Sequence, residues 1–376
     1  MKNCMVIVIF TQIVITIYKI INKGKTMKNI SKLLVGILFS ALVISPSYAG
    51  EMSVTGGATA TYSIGGDSSG SGKTVGISNE LDFTASGELD NGYTWKYQVQ
   101  LDGDSAANDD TRLEVGTDYG TVGFYVSEGG LSQELAYGIG ALGTGFDYAS
   151  PSTFQKGYDV DGYSNIQYHM PSGLLPFGLG VKLGYVPNMS ATTMLSAKNS
   201  DTTITSQAEG RSLTMAQVKA APIDGLSIQG SVAETSSEGG DANGDDGISA
   251  NVGAKYTMGQ FSIGYGEGGY QPATGLTAAD ETIYYENQYQ GIQFDVNDSL
   301  SLSYNEDSSE KNTRTGVAVG STKGTKATIE MEQETLQVAY TVGGATIGIA
   351  DIEVSNADYT SGKQETQTII SLGISF

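Results

Sequence analysis

From residue 51 onward, apolar and polar side chains alternate in short stretches along the chain. In EMSVTGGATATYS, Met52, Val54, Ala58, Ala60 and Tyr62 share one face, and in VGISNELDFTAS Val75, Ile77, Leu81 and Phe83 do. After the tight-turn signal DNG at residues 90–92, YTWKYQVQLDGD sets Trp95, Tyr97, Val99 and Leu101 against Lys96, Gln98, Gln100 and Asp102. A period of two marks strands with one apolar side, and the Asn-Gly turn joins antiparallel neighbours. The pattern recurs through TRLEVG, GTVGFYVS, YSNIQYHM, LGVKLGYV, RSLTMAQVKA, LSIQGSVAE, ISANVGAKYTM and onward to the terminal IISLGISF. It predicts an all-β chain of about 16 strands. In TKATIEMEQETLQVAYT the alternation changes phase near Thr335, which predicts a bend or bulge there.

The connections alternate in length. Short ones (DNG, DYG, MGQ, DVND) trade places with long ones rich in Gly, Ser and Asp: GGDSSGSGKT, SSEGGDANGDDG and NEDSSEKNTRTGVAVGSTKG. A soluble β-sandwich would turn its apolar faces inward, and its loop lengths would follow no such rule. The inverse arrangement is a closed antiparallel barrel with apolar residues facing lipid, polar residues facing a lumen, short turns at one end and long loops at the other. Tyrosines near strand ends (Tyr62, Tyr93, Tyr119, Tyr168, Tyr185, Tyr265, Tyr304) suit the aromatic girdles of such a barrel. The bare terminal Phe376 then has a reason: the last strand closes the sheet against the first, with its apolar face in lipid.

The N-terminus supports export. Starting at Met27, MKNISK is a positive segment, LLVGILFSALVI an apolar run, and SPSYA a small-x-small site, so residues 27–49 read as a signal peptide cleaved after Ala49. Residues 1–26 read as a misassigned upstream start, because the signal is complete without them. Residues 1–49 hold six lysines and no acid, which leaves 14 basic and 41 acidic side chains in residues 50–376. That acidity argues against nucleic acid as a partner. The single cysteine, Cys4, falls in the removed part, so no intramolecular disulfide is expected.

Several motifs imitate chemistry. GIGALG, Gly138–Gly143, fits a dinucleotide fingerprint by letter, but Pro151 spoils the helix it would need, and it reads as loop. SGKT (71–74) and GDSSG (66–70) imitate a phosphate loop and a protease nucleophile. The first lacks its glycine at Asp67 and the second finds only His169 for a triad, so both read as one solvated first loop. DANGDDGI (241–248) has calcium-type acceptors but Asp246 and Val252 where a glycine and a bidentate glutamate belong, and reads as an acidic surface loop. No general base, nucleophile, metal set or cofactor frame emerges, so neither an enzyme nor a cofactor is expected.

Two blocks carry a family resemblance. TRLEVGTDYGTVGFYVS (111–127) resembles the strand, turn and strand before the inward-folded third loop of Gram-negative trimeric porins, and GYSNIQYHMPSGLLPFGLGVKLGY (162–185) is similar to the segment after it. The terminal Phe376 resembles the aromatic residue read by the barrel-assembly machinery. Tyr125 and Val126 stand where the family often has arginine. The resemblance implies a 16-stranded homotrimer in the outer membrane, in contact with lipid and lipopolysaccharide, whose third loop, Glu128–Asp161, narrows a water-filled pore for small hydrophilic solutes and ions. The alternatives are a substrate-selective channel and a non-conducting structural or adhesin barrel.

Strand parity gives the charge of that pore. With Leu81, Phe83, Trp95, Tyr97, Val99, Leu101, Leu113 and Val115 outward, Glu80, Asp82, Lys96, Asp102, Arg112 and Glu114 face the lumen. The third loop adds Glu128, Glu134, Asp147, Asp159 and Asp161 against Lys156 alone. An excess of acid at a narrow zone favours cations. Lys96 and Arg112 are the expected basic side of any transverse field, as the family's basic ladder implies.

Overall fold

The computed structural model describes residues 50–67, 70–102, 110–132, 138–145, 148, 150–189, 211–236, 246–273, 282–315 and 325–376. The targeting segment 1–49, most of the acidic stretch 241–248, and the loop residues Glu134 and Asp147 lie outside the described residues, as does the side chain of Asp102.

The alternating stretches form sixteen strands: β1 (Glu51–Asp67), β2 (Gly70–Glu88), β3 (Thr94–Asp102), β4 (Thr111–Thr117), β5 (Gly120–Val126), β6 (Asn165–His169), β7 (Gly180–Val186) and β8 (Ser212–Ile223), then β9 (Leu226–Ser236), β10 (Ile248–Met258), β11 (Phe261–Gln271), β12 (Thr282–Asn297), β13 (Leu300–Thr315), β14 (Thr325–Val342), β15 (Ala345–Ser355) and β16 (Gln364–Ser375). Each pairs antiparallel with its sequence neighbours, and β16 pairs with β1 to close the barrel. At the seam Ala60 lies opposite Leu372 and Tyr62 opposite Ile370. The closure continues to the last residue: the Phe376 N–H donates to the Gly56 carbonyl, and the Gly56 N–H donates back to Phe376, each at 2.9 Å.

Exposure separates the two faces residue by residue. Along β13 and β14, Leu302, Tyr304, Leu336 and Tyr340 are exposed on the outside, while Ser303, Asn305, Thr335 and Gln337 are buried inside. Side chains of opposite character therefore point opposite ways from one strand, as the pleat requires. The exposed large residues of the other strands, among them Val54, Ile77, Phe124, Ile263, Ile349 and Leu372, continue the outer apolar face.

Three expectations change. No bulge occurs at Thr335, because β14 pairs in unbroken register with β13 and β15 through that residue. The phase change has another cause: the outer face of β14 runs Glu330, Glu332, Glu334 and then Leu336, Val338, Tyr340, so the polar-to-apolar border lies on one face of a straight strand. The border continues on β13, where Glu306 lies opposite Glu334 and Tyr304 opposite Leu336, and falls one row later on β15, where Glu353 and Asp351 give way to Ile349. Register shifts fall instead between Ala220 and Ile223 and between Asp295 and Asn297.

The first long connection is also a correction. Most of GGDSSGSGKT belongs to the strands, which pair up to Asp67 opposite Gly70, and the Gly70 N–H donates to the Asp67 carboxylate at 2.9 Å. The backbone pairing of β1 and β2 outweighs the turn propensity of its glycines and serines. Likewise β13 reaches Thr315 and takes in the first eleven residues, Asn305–Thr315, of the expected long loop.

A lysine on the outer apolar face tests this orientation. Leu372→Lys on β16 is expected to destabilise the barrel by about 2–4 kcal/mol, whereas Gln290→Lys, in the polar zone of β12, should cost about 0–1 kcal/mol. Urea titration in phospholipid bilayers checks the difference.

Candidate functional site

The described residues of the connection from β5 to β6 turn into the barrel and lie against its far wall. Asp159 ties the two limbs of this third loop together at its base. Its carboxylate accepts the backbone N–H groups of Leu131 (2.7 Å), Ser132 (2.6 Å) and Val160 (2.6 Å). Burial pushes the Asp159 carboxyl up, while these backbone donors pull it down.

Beyond the base, the wall supplies side-chain partners to the loop's backbone. Asn305 Nδ2 donates to the Ile139 carbonyl (3.0 Å), the Ala141 N–H to Ser303 Oγ (2.8 Å) and the Leu142 N–H to Gln337 Oε1 (2.8 Å). Gln333 Nε2 donates to the Gly145 carbonyl at 2.8 Å. On the return limb Ser152 Oγ donates to Glu365 (2.8 Å), Asn287 Nδ2 to the Gln155 carbonyl (3.0 Å) and the Tyr158 N–H to Ser249 Oγ (3.1 Å). A loop inside a barrel must find partners for its backbone groups, and the polar inner faces of β10, β12, β13, β14 and β16 provide them.

Apolar contacts fix the depth of the loop. Ile139 and Phe154 pack with Tyr289, Met331, Ile352, Val354 and Ile369, and Leu131 and Val160 pack with Val186, Leu213 and Met215. Glycines make room for three of these contacts. A Cβ on Gly184 would lie 2.9 Å from Leu131, one on Gly291 2.7 Å from Ile139, and one on Gly348 2.6 Å from Leu142. The segment Gly138–Gly143 is thus the part of the loop seated against the wall, not a nucleotide-binding turn.

The loop leaves open the opposite sector, along β16, β1, β2, β3 and β4. A cavity of about 660 Å³ there is bordered by Gly57, Thr59, Ser78, Glu80, Leu142, Tyr148, Ser371 and Gly373. A second, of about 680 Å³, lies toward the short turns between Glu51, Glu88, Thr94, Lys96, Glu114 and Gly116. Four carboxylates and one ammonium border these two spaces.

The residues singled out from the sequence divide into three groups. Glu80, Lys96 and Glu114 border the open sector. Asp82, Arg112 and Glu128 sit in a network beside it: Gln98 donates to Asp82 at 2.7 Å, Arg112 donates to Gln98, and Arg112 pairs with Glu128 at 3.0 Å. Burial pushes the Glu128 carboxyl up, and Arg112 pulls it down. Tyr125, standing where an arginine was expected from the resemblance, donates to Glu114 at 2.6 Å. Asp159 is a structural tie, Asp161 is exposed beside it, and the Lys156 carbonyl accepts from Asn251 at 3.4 Å. Phe376 is exposed on the outer face at the seam.

Sequence reasoning passed over Glu51, Glu88, Lys182, Lys219 and Lys255. Their signal was the same alternation: in LGVKLGYV, Lys182 falls opposite in parity to Val181, Leu183 and Tyr185. Lys255 reaches the loop, donating to the Gly138 carbonyl at 2.9 Å.

No protein-family model and no curated sequence matches the chain. Solved structures do. The loop L8 deletion mutant of OmpT, an outer membrane protein of Vibrio cholerae, is 13% identical with a TM-score of 0.61, covering 86% of this chain and 99% of that one. OmpT in a trimer form is 12% identical with a TM-score of 0.58, over 86% and 99%. The anion-selective porin from Comamonas acidovorans is 16% identical with a TM-score of 0.59, over 87% and 100%. At these identities the likeness shows the fold: a 16-stranded barrel of the outer-membrane porin type.

The glycine sockets provide a direct check. Gly348→Val and Gly291→Val should each cost about 1–3 kcal/mol by overpacking. By pushing Leu142 or Ile139 off the wall, they should also narrow the open sector. Urea unfolding and single-channel conductance measure the two effects.

Proposed function

We propose that the protein is a porin of the outer membrane: a water-filled channel through which small hydrophilic solutes and ions diffuse passively, with a mild preference for cations. The observation that carries this reading is the position of the third loop. It is docked on one wall by hydrogen bonds and apolar contacts, and a polar space remains beside the wall made by β16 and β1 to β4. Passage through such a space needs no chemistry. A polar lumen removes the desolvation barrier, and the size and charge of the narrowest part decide what passes.

The charge preference follows from the side chains bordering the open sector. Glu51, Glu80, Glu88 and Glu114 border it together with Lys96, which lies directly beside Glu114 on the neighbouring strand. Arg112 is paired with Glu128, which reduces its pull on anions. Lys182 and Lys219 on the adjoining wall dilute the preference without removing it. A homotrimer is the assembly proposed, supported by the trimer form of OmpT among the similar structures. Export by the segment before Gly50 and insertion through the strand ending in Phe376 complete the proposal, with lipid and lipopolysaccharide as the surrounding partners.

Planar-bilayer recording decides between a channel and a plugged barrel, since a plugged barrel passes no current. Across a KCl gradient the reversal potential should have the sign of a cation-preferring pore. The preference should grow as the Debye length lengthens from about 3 Å at 1 M to about 30 Å at 0.01 M. Glu80→Gln together with Glu51→Gln should lower it. An anion-selective wild-type pore would overturn the assignment of charge.

A further inference from the structure

On the inner wall of β6, β7 and β8 stand three nitrogen bases that neither the loop nor the open sector uses. His169 lies directly opposite Lys182 in the register, and Lys182 lies opposite Gln217, two residues before Lys219 on the same face of β8. Directly opposed residues in a sheet have Cβ atoms about 5 Å apart, and diagonal ones about 7–8 Å. Among the described residues Lys182 and Lys219 make no hydrogen bond or ion pair. Lys182 is within electrostatic reach of Lys219, Arg112 and Glu114. His169 is held by its Nε2 contact with Gln167 Oε1 at 2.8 Å. It feels Lys182, Arg112 and Glu114.

Two unpaired ammonium groups on one wall repel each other, and an anion between them would remove that repulsion. The wall also has room for one. Gly180 lies opposite Lys219 and shares the inner face with Lys182, and a Cβ placed on it would meet nothing within 4 Å. On the long-loop side the space is closed: Gln217 Nε2 donates to the Leu131 carbonyl at 3.2 Å, and Leu131 and Val160 pack on Val186, Leu213 and Met215 beyond it. The alcove opens toward the short turns.

We propose that Lys182, Lys219 and His169 form a binding station for a small doubly charged anion, below the third loop and on the wall beside the cation-preferring sector. This rests on the reading of the lumen as water-filled. Two ammonium groups supply the charge, and His169 supplies a fixed ring beside them. The anion is a compact one, either an inorganic oxyanion or a dicarboxylate, because the alcove is limited on one side by the sheet and on another by the loop's apolar seal.

Equilibrium dialysis of the detergent-solubilised barrel against radiolabelled sulfate tests it. The expected result is saturable binding of one sulfate per chain. Lys182→Gln with Lys219→Gln should weaken it about tenfold or more, corresponding to about 1.4 kcal/mol or more of lost attraction. Lys219→Gln alone should fall between, and Lys73→Gln, which lies outside the alcove, should bind as the wild type does. Displacement by succinate extends the site to dicarboxylates, and failure of succinate to displace restricts it to oxyanions; both support the station. Absence of saturable sulfate binding, or equal binding by the double variant, overturns it. The readout does not depend on current: lost binding with intact conductance removes this station alone, and binding without conductance removes the channel reading alone.

Discussion

The structure depends on closing the sheet between β1 and β16. Hydrocarbon offers no partner to a backbone N–H or C=O, and each group left unpaired there costs several kcal/mol. The register from Gly57 opposite Ser375 to Asp67 opposite Glu365 removes the two edges that a sheet of sixteen strands would otherwise expose. Once closed, every strand has an inside and an outside, and residue parity decides which side chain meets which. The outer apolar band, the polar lumen and the place of each charge all follow from that closure.

A polar lumen of this kind creates a second problem, which the third loop meets. Its backbone enters a space lined by side chains, so it must be hydrogen-bonded there, and Asn305, Ser303, Gln337 and Gln333 do this. The wall behind it departs from the polar rule where the loop rests. Ile352, Val354 and Ile369 face inward, and Gly291 and Gly348 leave sockets for Ile139 and Leu142. These departures hold the loop to one side, and the open sector on the other side is bordered by the charged residues of β1 to β4.

Much of this was legible in the chain. Period-two alternation gave the strands and their faces, whereas the lengths of the long connections were overread, since most of GGDSSGSGKT and the first half of NEDSSEKNTRTGVAVGSTKG are strand. Where the reading failed, local pattern met a border it cannot express. On β14, outward acids give way to outward apolar residues at Leu336, and a single straight strand looks like a phase change. The inward Ile352 and Val354 of β15 and Ile369 of β16 look like ordinary strand residues until the loop that covers them is in place. Asp159, similarly, reads as one more acid near a pore, whereas its three backbone partners make it a structural tie. Lys182 and Lys219 lay within the same alternation, and only their neighbours across β7 and β8 join them into one cluster.

On the proposed reading, ions pass between the third loop and the wall of β1 and β2, and not behind the loop. Cysteine modification in an open channel tests it most directly, because the sole cysteine, Cys4, precedes the expected cleavage site and the mature chain offers no other thiol. A cationic thiol reagent should reduce single-channel current through Thr59→Cys and Ser78→Cys, which border the open sector, and leave Ser303→Cys, buried against the loop, unchanged. Loss of current at Ser303→Cys with none at Thr59→Cys or Ser78→Cys would contradict the account.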